Sequence, residues 1–313
     1  MAQIQKSAFI WMNGEFVRWD DAQVHVLSHG LHYGFGVFEG IRAYERANGQ
    51  SAVFRLREHI QRLSDSARIM TLPLPYSVDV LIEATLETLR RNGLRAAYIR
   101  PIAFTGYGAL GVGTTDVSTE VAIAAFPWGA YLGDEGLKNG VRIKTSTFAR
   151  PHVNSQLHKG KVAGHYVNSI LAKREALAEG YQEAVLLDTN GYVAEASGEN
   201  VFAVIGKALY TAPFGGPILG GITRDTICTL AREDGLEIRE QPMTRDTLYL
   251  ANEVFMCGTA AEVTPVREID RRVIGIGARG PVTERLQARY FDVVKGSDNR
   301  HDEWFSFYDV PQR

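Results

Sequence analysis

Cysteine is nearly absent: only Cys228 and Cys257 occur in 313 residues, neither in a CxxC pair. A disulfide framework is thereby excluded, and structural zinc and dithiol chemistry are disfavoured, leaving two reduced, buried thiols as the expectation. No excess of one charge exists either, with 34 Lys and Arg against 36 Asp and Glu and no like-charge block, so nucleic acid is not an expected partner. No apolar run approaches the roughly 20 residues that span a bilayer, and the opening MAQIQKSAFIW lacks a long apolar core. A cytoplasmic protein with no membrane contact is the simplest expectation. No repeat, low-complexity tract or regular strand–helix alternation is found, which argues against Rossmann and barrel folds.

What is present is ordinary globular composition in a chain long enough for two domains. Asn13-Gly14 between apolar runs predicts an opening hairpin over Phe9 to Val17. Apolar residues at helical spacing predict helices over 57–70 and 79–91, and short apolar runs predict strands over 98–104 and 120–126. The glycine-rich stretch 106–113 between them reads as a shape-critical loop. Residues 128–136 follow neither period and predict an interdomain connection, giving domains 1–133 and 134–313. Beyond it, strands are expected over 141–146, 183–187, 192–196, 201–205 and 254–257. Helices are expected over 162–179, 223–234 and 245–250. The class is α+β.

Several residues could carry chemistry. Lys161, before a predicted helix, reads by itself as a solvated lysine; in a carbonyl-cofactor pocket it would instead be a nucleophile. Glu195, among small residues of a strand, is either capped by amides or faces a pyridinium nitrogen, keeping it protonated. Gly220-Gly221-Ile222-Thr223 opens a helix, where amides and the positive dipole suit a phosphate. Gly258-Thr259-Ala260 is a second small-residue turn able to hold an anion, and Arg62 alone would be a surface arginine.

Together, His29 to Arg42, Arg57 to Leu63, Tyr98 to Pro101, Lys161 to Tyr166, Glu195 to Phe202, Leu219 to Arg224 and Glu253 to Pro265 form an ordered set. It resembles the class IV, fold-type IV pyridoxal-phosphate aminotransferases, most nearly those acting on branched-chain amino acids. The resemblance implies a smaller N-terminal α/β domain and a larger C-terminal domain with pyridoxal 5'-phosphate between them. Lys161 would bind the cofactor covalently and shuttle a proton, with Lys159 a neighbour only. Tyr166 would meet its phenolic oxygen and Glu195 its ring nitrogen, while Arg62, Ile222, Thr223 and Thr259, flanked by Leu219 and Gly221, would gather its phosphate. Tyr98, Thr259 and Ala260 would take the substrate α-carboxylate. Phe38, Gly40, Trp128 and Tyr131 would shape an apolar pocket, and Arg100 and Tyr33 would receive the distal carboxylate of glutamate.

The implied reaction is transamination of leucine, isoleucine and valine with 2-oxoglutarate by a homodimer or hexamer, without metal. D-amino-acid or R-amine transamination, aminodeoxychorismate lysis and an inactive binding protein are the rivals. Residues 151–158, His165 and Ala196-Ser197 depart from the usual family wording.

Overall fold

The structure, a computed structural model, describes residues 4–129 and 132–310, the side chain of Asp134 excepted. Its contacts separate two compact units of nearly equal length: residues 1–128 with 160–165 and 293–313, and residues 129–159 with 166–292. The single division expected near 133 assigns 160–165 and 293–313 to the second domain; their contacts group them with the first.

The first unit is built on an eight-stranded antiparallel sheet. Its order is Phe305–Tyr308, Ser51–Phe54, Ile41–Glu45, Ala97–Thr105, Thr119–Phe126, Phe9–Met12, Glu15–Arg18, with Gly36–Phe38 also paired to Ala97–Thr105. Asn13 and Gly14 both adopt positive φ, as the predicted two-residue hairpin requires. The helices here are α1 (His29–Tyr33), α2 (Leu56–Ile69) and α3 (Val78–Arg91). α2 buries Leu56, Ile60, Leu63 and Ala67 at spacings of three and four residues, and α3 buries Leu81 and, three, four and eight residues on, Ala84, Thr85 and Leu89. These stripes join Ile41, Val53, Ile99 and Ile123 of the sheet in one core. Each large aliphatic side chain removed from water there contributes about 1.5–3 kcal/mol. His59 and Ser66 lie on the same buried face of α2, and such polar groups need partners.

The second unit carries a nine-stranded mixed sheet, ordered Val193–Ala196, Glu183–Leu187, Val141–Thr145, Glu262–Ile269, Glu253–Gly258, Asn200–Ile205, Ala208–Thr211, Glu237–Glu240, with Arg272–Val273 added to Glu262–Ile269. Its helices include α4 (Gly133–Asn139), α5 (Tyr166–Ala178), α6 (Ile222–Glu233) and α7 (Arg245–Leu250); α8 (Pro281–Lys295) follows. α4 occupies part of the segment read as irregular.

α5 begins four residues later than the pattern predicts. The Lys161 carbonyl accepts the Phe38 N–H at 3.1 Å and Val162 forms an antiparallel bridge with Val37, so the chain is extended there and turns only at 163–165. No helix among the described residues is long and apolar enough to cross a membrane.

Candidate active site

The first unit gathers eight of the residues singled out by sequence. The strand period places Tyr98 and Arg100 on one face of Ala97–Thr105, opposite the buried Ile99 and Ala103. Tyr98 packs against Phe126 at 5.9 Å and Trp128 at 5.1 Å between ring centroids. Its hydroxyl accepts a bond from Arg100 Nη2 at 3.2 Å. Gly40 is dictated by this packing, because a Cβ there would lie 2.0 Å from the Tyr98 oxygen. The Arg100 guanidinium lies over the rings of Phe38 (4.9 Å) and Tyr98 (5.3 Å). Its Nε is buried without a hydrogen-bond partner, and no carboxylate among the described residues pairs with it. A guanidinium held so, apolar faces around an unanswered donor edge, is built to receive an anion.

Lys161 enters this face from its own short segment. Its backbone N–H donates to Ser66 Oγ at 2.9 Å, Ser66 Oγ donates to the Arg62 carbonyl at 2.7 Å, and Lys161 Nζ lies 5.1 Å from the Phe38 ring centroid. Arg62 is no surface arginine. Its Nε and Nη2 bond the two carboxylate oxygens of the fully buried Glu39 at 2.6 and 2.9 Å, and His59 Nδ1 reaches Glu39 Oε2 at 2.7 Å. Burial opposes ionisation of Glu39, but the Arg62 charge and then His59 outweigh it and hold the carboxyl well below its usual range. Burial also lowers the pKa of His59, more than Glu39 raises it. A neutral imidazole donating Nδ1–H is the state that fits. Neither Glu39 nor His59 was singled out by sequence, and the only available signal was their place inside the quoted motifs. Tyr33 ends α1, half exposed, its ring 4.6 Å from His29.

The second unit gathers the rest. A register irregularity between Val193 and Glu195 re-aims this strand, and the Glu195 carboxylate is buried. Arg150 Nη2 pairs with its Oε1 at 3.0 Å, while the Leu219 N–H and Asn200 Nδ2 donate to Oε2 at 3.1 and 3.3 Å. Arg150, itself fixed by Ser169 Oγ and the Ala196 carbonyl, is a support that sequence reasoning missed. These donors favour the ionised carboxylate, the form that can accept from a protonated ring nitrogen. Asn200 Nδ2 also donates to the Leu219 carbonyl at 3.1 Å. Gly221 precedes the first turn of α6, where a Cβ would lie 1.9 Å from Asn200 Oδ1, so only glycine admits this approach. The Ile222 and Thr223 amides then open the helix, Thr223 being buried. Thr259 and Ala260 lie in the turn between Glu253–Gly258 and Glu262–Ile269, and Gly258 just before them lies beside Gly198 and Glu199. Tyr166 is the first residue of α5. Tyr131 lies outside the described residues.

Lys159 Nζ donates to the carbonyls of Gly216 and Ile218, both at 3.0 Å. An ammonium so employed is not a nucleophile, although burial lowers its pKa.

The residues present thus fit an anionic pyridine cofactor: an ionised buried carboxylate for a ring nitrogen, and a helix start cradled by a required glycine for a phosphate. Residues 36–269 match the model of the amino-transferase class IV family. The chain is 50% identical over 304 residues to the branched-chain-amino-acid aminotransferase of Pseudomonas aeruginosa, covering 97% of this chain and 98% of that protein. The crystal structure of the Escherichia coli branched-chain amino acid aminotransferase superposes with a TM-score of 0.94 at 49% identity, over 96% of this chain and 99% of that one. The T.th. branched-chain amino acid aminotransferase complexed with N-(5'-phosphopyridoxyl)-L-glutamate gives 0.91 at 48% identity, over 98% and 99%.

Proposed function

Because the chain belongs to the class IV aminotransferases, we propose that it moves the amino group of leucine, isoleucine and valine onto 2-oxoglutarate, with Lys161 as the cofactor-binding and proton-carrying residue. It is a fold-type IV pyridoxal-phosphate enzyme acting on branched-chain L-amino acids. The observation that carries the dual-substrate reading is Arg100, a cation in an aromatic frame with a buried, unanswered Nε. Glutamate brings a second carboxylate that requires such a partner, whereas leucine presents an aliphatic chain to Phe38, Tyr98 and Trp128.

Bound pyridoxal phosphate supplies the electron sink for the α-carbon. Glu195, held ionised by Arg150, Leu219 and Asn200, accepts the ring N–H and keeps that nitrogen protonated. Ile222 and Thr223 donate backbone N–H groups to the phosphate, assisted by Thr259 and Arg62. Tyr166 meets the phenolic oxygen. Lys161 Nζ would take the proton from the substrate α-carbon and deliver it to C4′ of the cofactor. Tyr98, Thr259 and Ala260 hold the α-carboxylate, Phe38, Gly40, Trp128 and Tyr131 shape the side-chain pocket, and Tyr33 joins Arg100 at the distal carboxylate.

The enzyme works in the cytoplasm, a placement supported by two free buried cysteines. It associates at least as a homodimer, and the apolar side chains of Tyr107, Leu110 and Val112 on the glycine-rich loop, 58%, 50% and 93% exposed, support that reading.

Single-turnover absorbance measurements with L-leucine, L-glutamate, D-alanine and an R-amine test the substrate reading. The two L-amino acids convert the cofactor and the other two leave it unchanged; conversion by D-alanine or the R-amine in preference to L-leucine rejects it. Borohydride reduction and peptide mapping place the pyridoxyl group on Lys161.

A further inference from the structure

The loop Pro213 to Leu219 precedes the glycines of α6; Pro217 and Ile218 are buried, Ile218 against Ala194 and Ala212, but the turn before them carries little that would hold it. Phe214 and Gly215 are exposed, Gly215 and Gly216 bring maximal backbone freedom, and Pro217 offers no N–H. Its internal bonds are two: Gly216 N–H to the Pro213 carbonyl at 2.9 Å and Ile218 N–H to the Gly216 carbonyl at 2.8 Å. Yet the loop ends on Leu219, whose N–H must meet Glu195 Oε2 and whose carbonyl must meet Asn200.

The geometry points to Lys159 as a positioning residue that clasps this loop and thereby fixes the Leu219 amide on Glu195. The Nζ sits between the Gly216 and Ile218 carbonyls, each 3.0 Å away, and 4.4 Å from the centroid of the Phe214 ring. Three points of one loop converge on one ammonium. The clamped Phe214 ring in turn bears on Gly220, where a Cβ would lie 2.9 Å from it. The turn immediately before Gly221 and α6 is therefore shaped by the same contact. Bonds from a charged donor are stronger than neutral ones, so a single lysine orders a loop that its own glycines leave loose. Burial also lowers the Lys159 pKa, as expected for an ammonium taken into this loop. The inference rests on Glu195 serving the cofactor nitrogen.

Lys159→Met keeps the stem and removes the charge, and Lys159→Arg restores a donor. In the holoenzyme with Lys159→Met, amide hydrogen exchange at Ile218 and Leu219 rises about tenfold or more, while the strand Asn200–Ile205 exchanges as in wild type. Lys159→Arg returns Leu219 exchange toward the wild-type rate. At saturating cofactor the half-reaction rate with L-leucine falls in Lys159→Met with KM little changed. Unchanged Leu219 exchange, or a rise shared equally by the strand, overturns the clasp. Borohydride mapping of the same variant separates this from the reading beneath it. An adduct kept on Lys161 with unchanged exchange overturns the clasp alone, whereas an adduct lost with Lys159 overturns both, because Lys159 would then be the covalent residue.

Discussion

Arg62 holds Glu39 with two of its three guanidinium nitrogens, so removing it does two things at once. The proposed phosphate contact is lost, on the order of 1.5–3 kcal/mol, and the buried Glu39 carboxylate loses its charged partner and keeps only neutral donors such as His59, about 3–5 kcal/mol. Arg62→Ala is therefore expected to lose both stability and cofactor affinity. Adding Glu39→Gln recovers much of the stability but none of the affinity. Urea unfolding and pyridoxal-phosphate titration of the single and double variants check this, and a double variant no more stable than Arg62→Ala sinks the account. Arg100 is the converse, a cation with no anion paired to it among the described residues. Arg100→Met is expected to weaken the glutamate half-reaction by about 2 kcal/mol, roughly thirtyfold, and leave leucine little changed. Equal losses for the two substrates would assign Arg100 to the shared α-carboxylate. Lys161, Glu195 and Arg62 stood out in the sequence as candidates through the motifs around them. Their partners were not, because Arg150 and Glu39 meet them only after folding and neither has a local pattern of its own.

Elements decide how closely backbone can approach the site, and two glycines mark where. A Cβ at position 40 collides with the Tyr98 hydroxyl, and one at 221 with Asn200 Oδ1. Gly40→Ala is expected to displace Tyr98 and slow the half-reaction while cofactor binding persists. Gly221→Ala is expected to shift the start of α6 and lower cofactor affinity first. Equilibrium binding and single-turnover rates for both variants separate the effects, and identical profiles would contradict the division. The same level shows what sequence patterning reaches. α2, α3 and α6 were legible because each carries an apolar stripe of period 3.6, and the Asn13-Gly14 hairpin because its turn demands positive φ. The start of α5 was misread because residues 162–165 have helical spacing but are bound to Val37 and Phe38. Short buried strands such as Ser51–Phe54, hidden on both faces, have no alternation to read.

Across the molecule, stability should depend on pH through two carboxyls acting in separate windows. Burial, then repulsion from Glu183, raises the Glu199 carboxyl from 4.5 to about 8. The folded state thus holds a proton that the unfolded chain releases. Its contribution is complete below about pH 4.5 and declines as pH rises to about 8. Glu39 works in the opposite sense, its contribution being present above the usual carboxylate range and lost in acid. Glu199→Gln is expected to flatten the decline between pH 5 and 8 without altering the acid limb, as read from urea midpoints across pH. An unchanged slope would remove Glu199 from the account. The sheet of the first unit has a further consequence, for biosynthesis. Its edge strand Phe305–Tyr308 pairs with Ser51–Phe54, and the Lys161 segment bridges to Val37. At ribosomal rates of about 5–20 residues per second, Ser51–Phe54 emerges tens of seconds before its partner. For that interval it is an unpaired edge on a nascent chain. Co-translational folding can complete the second unit while the first still waits for Phe305–Tyr308, so deleting that strand should harm the N-terminal half of the protein.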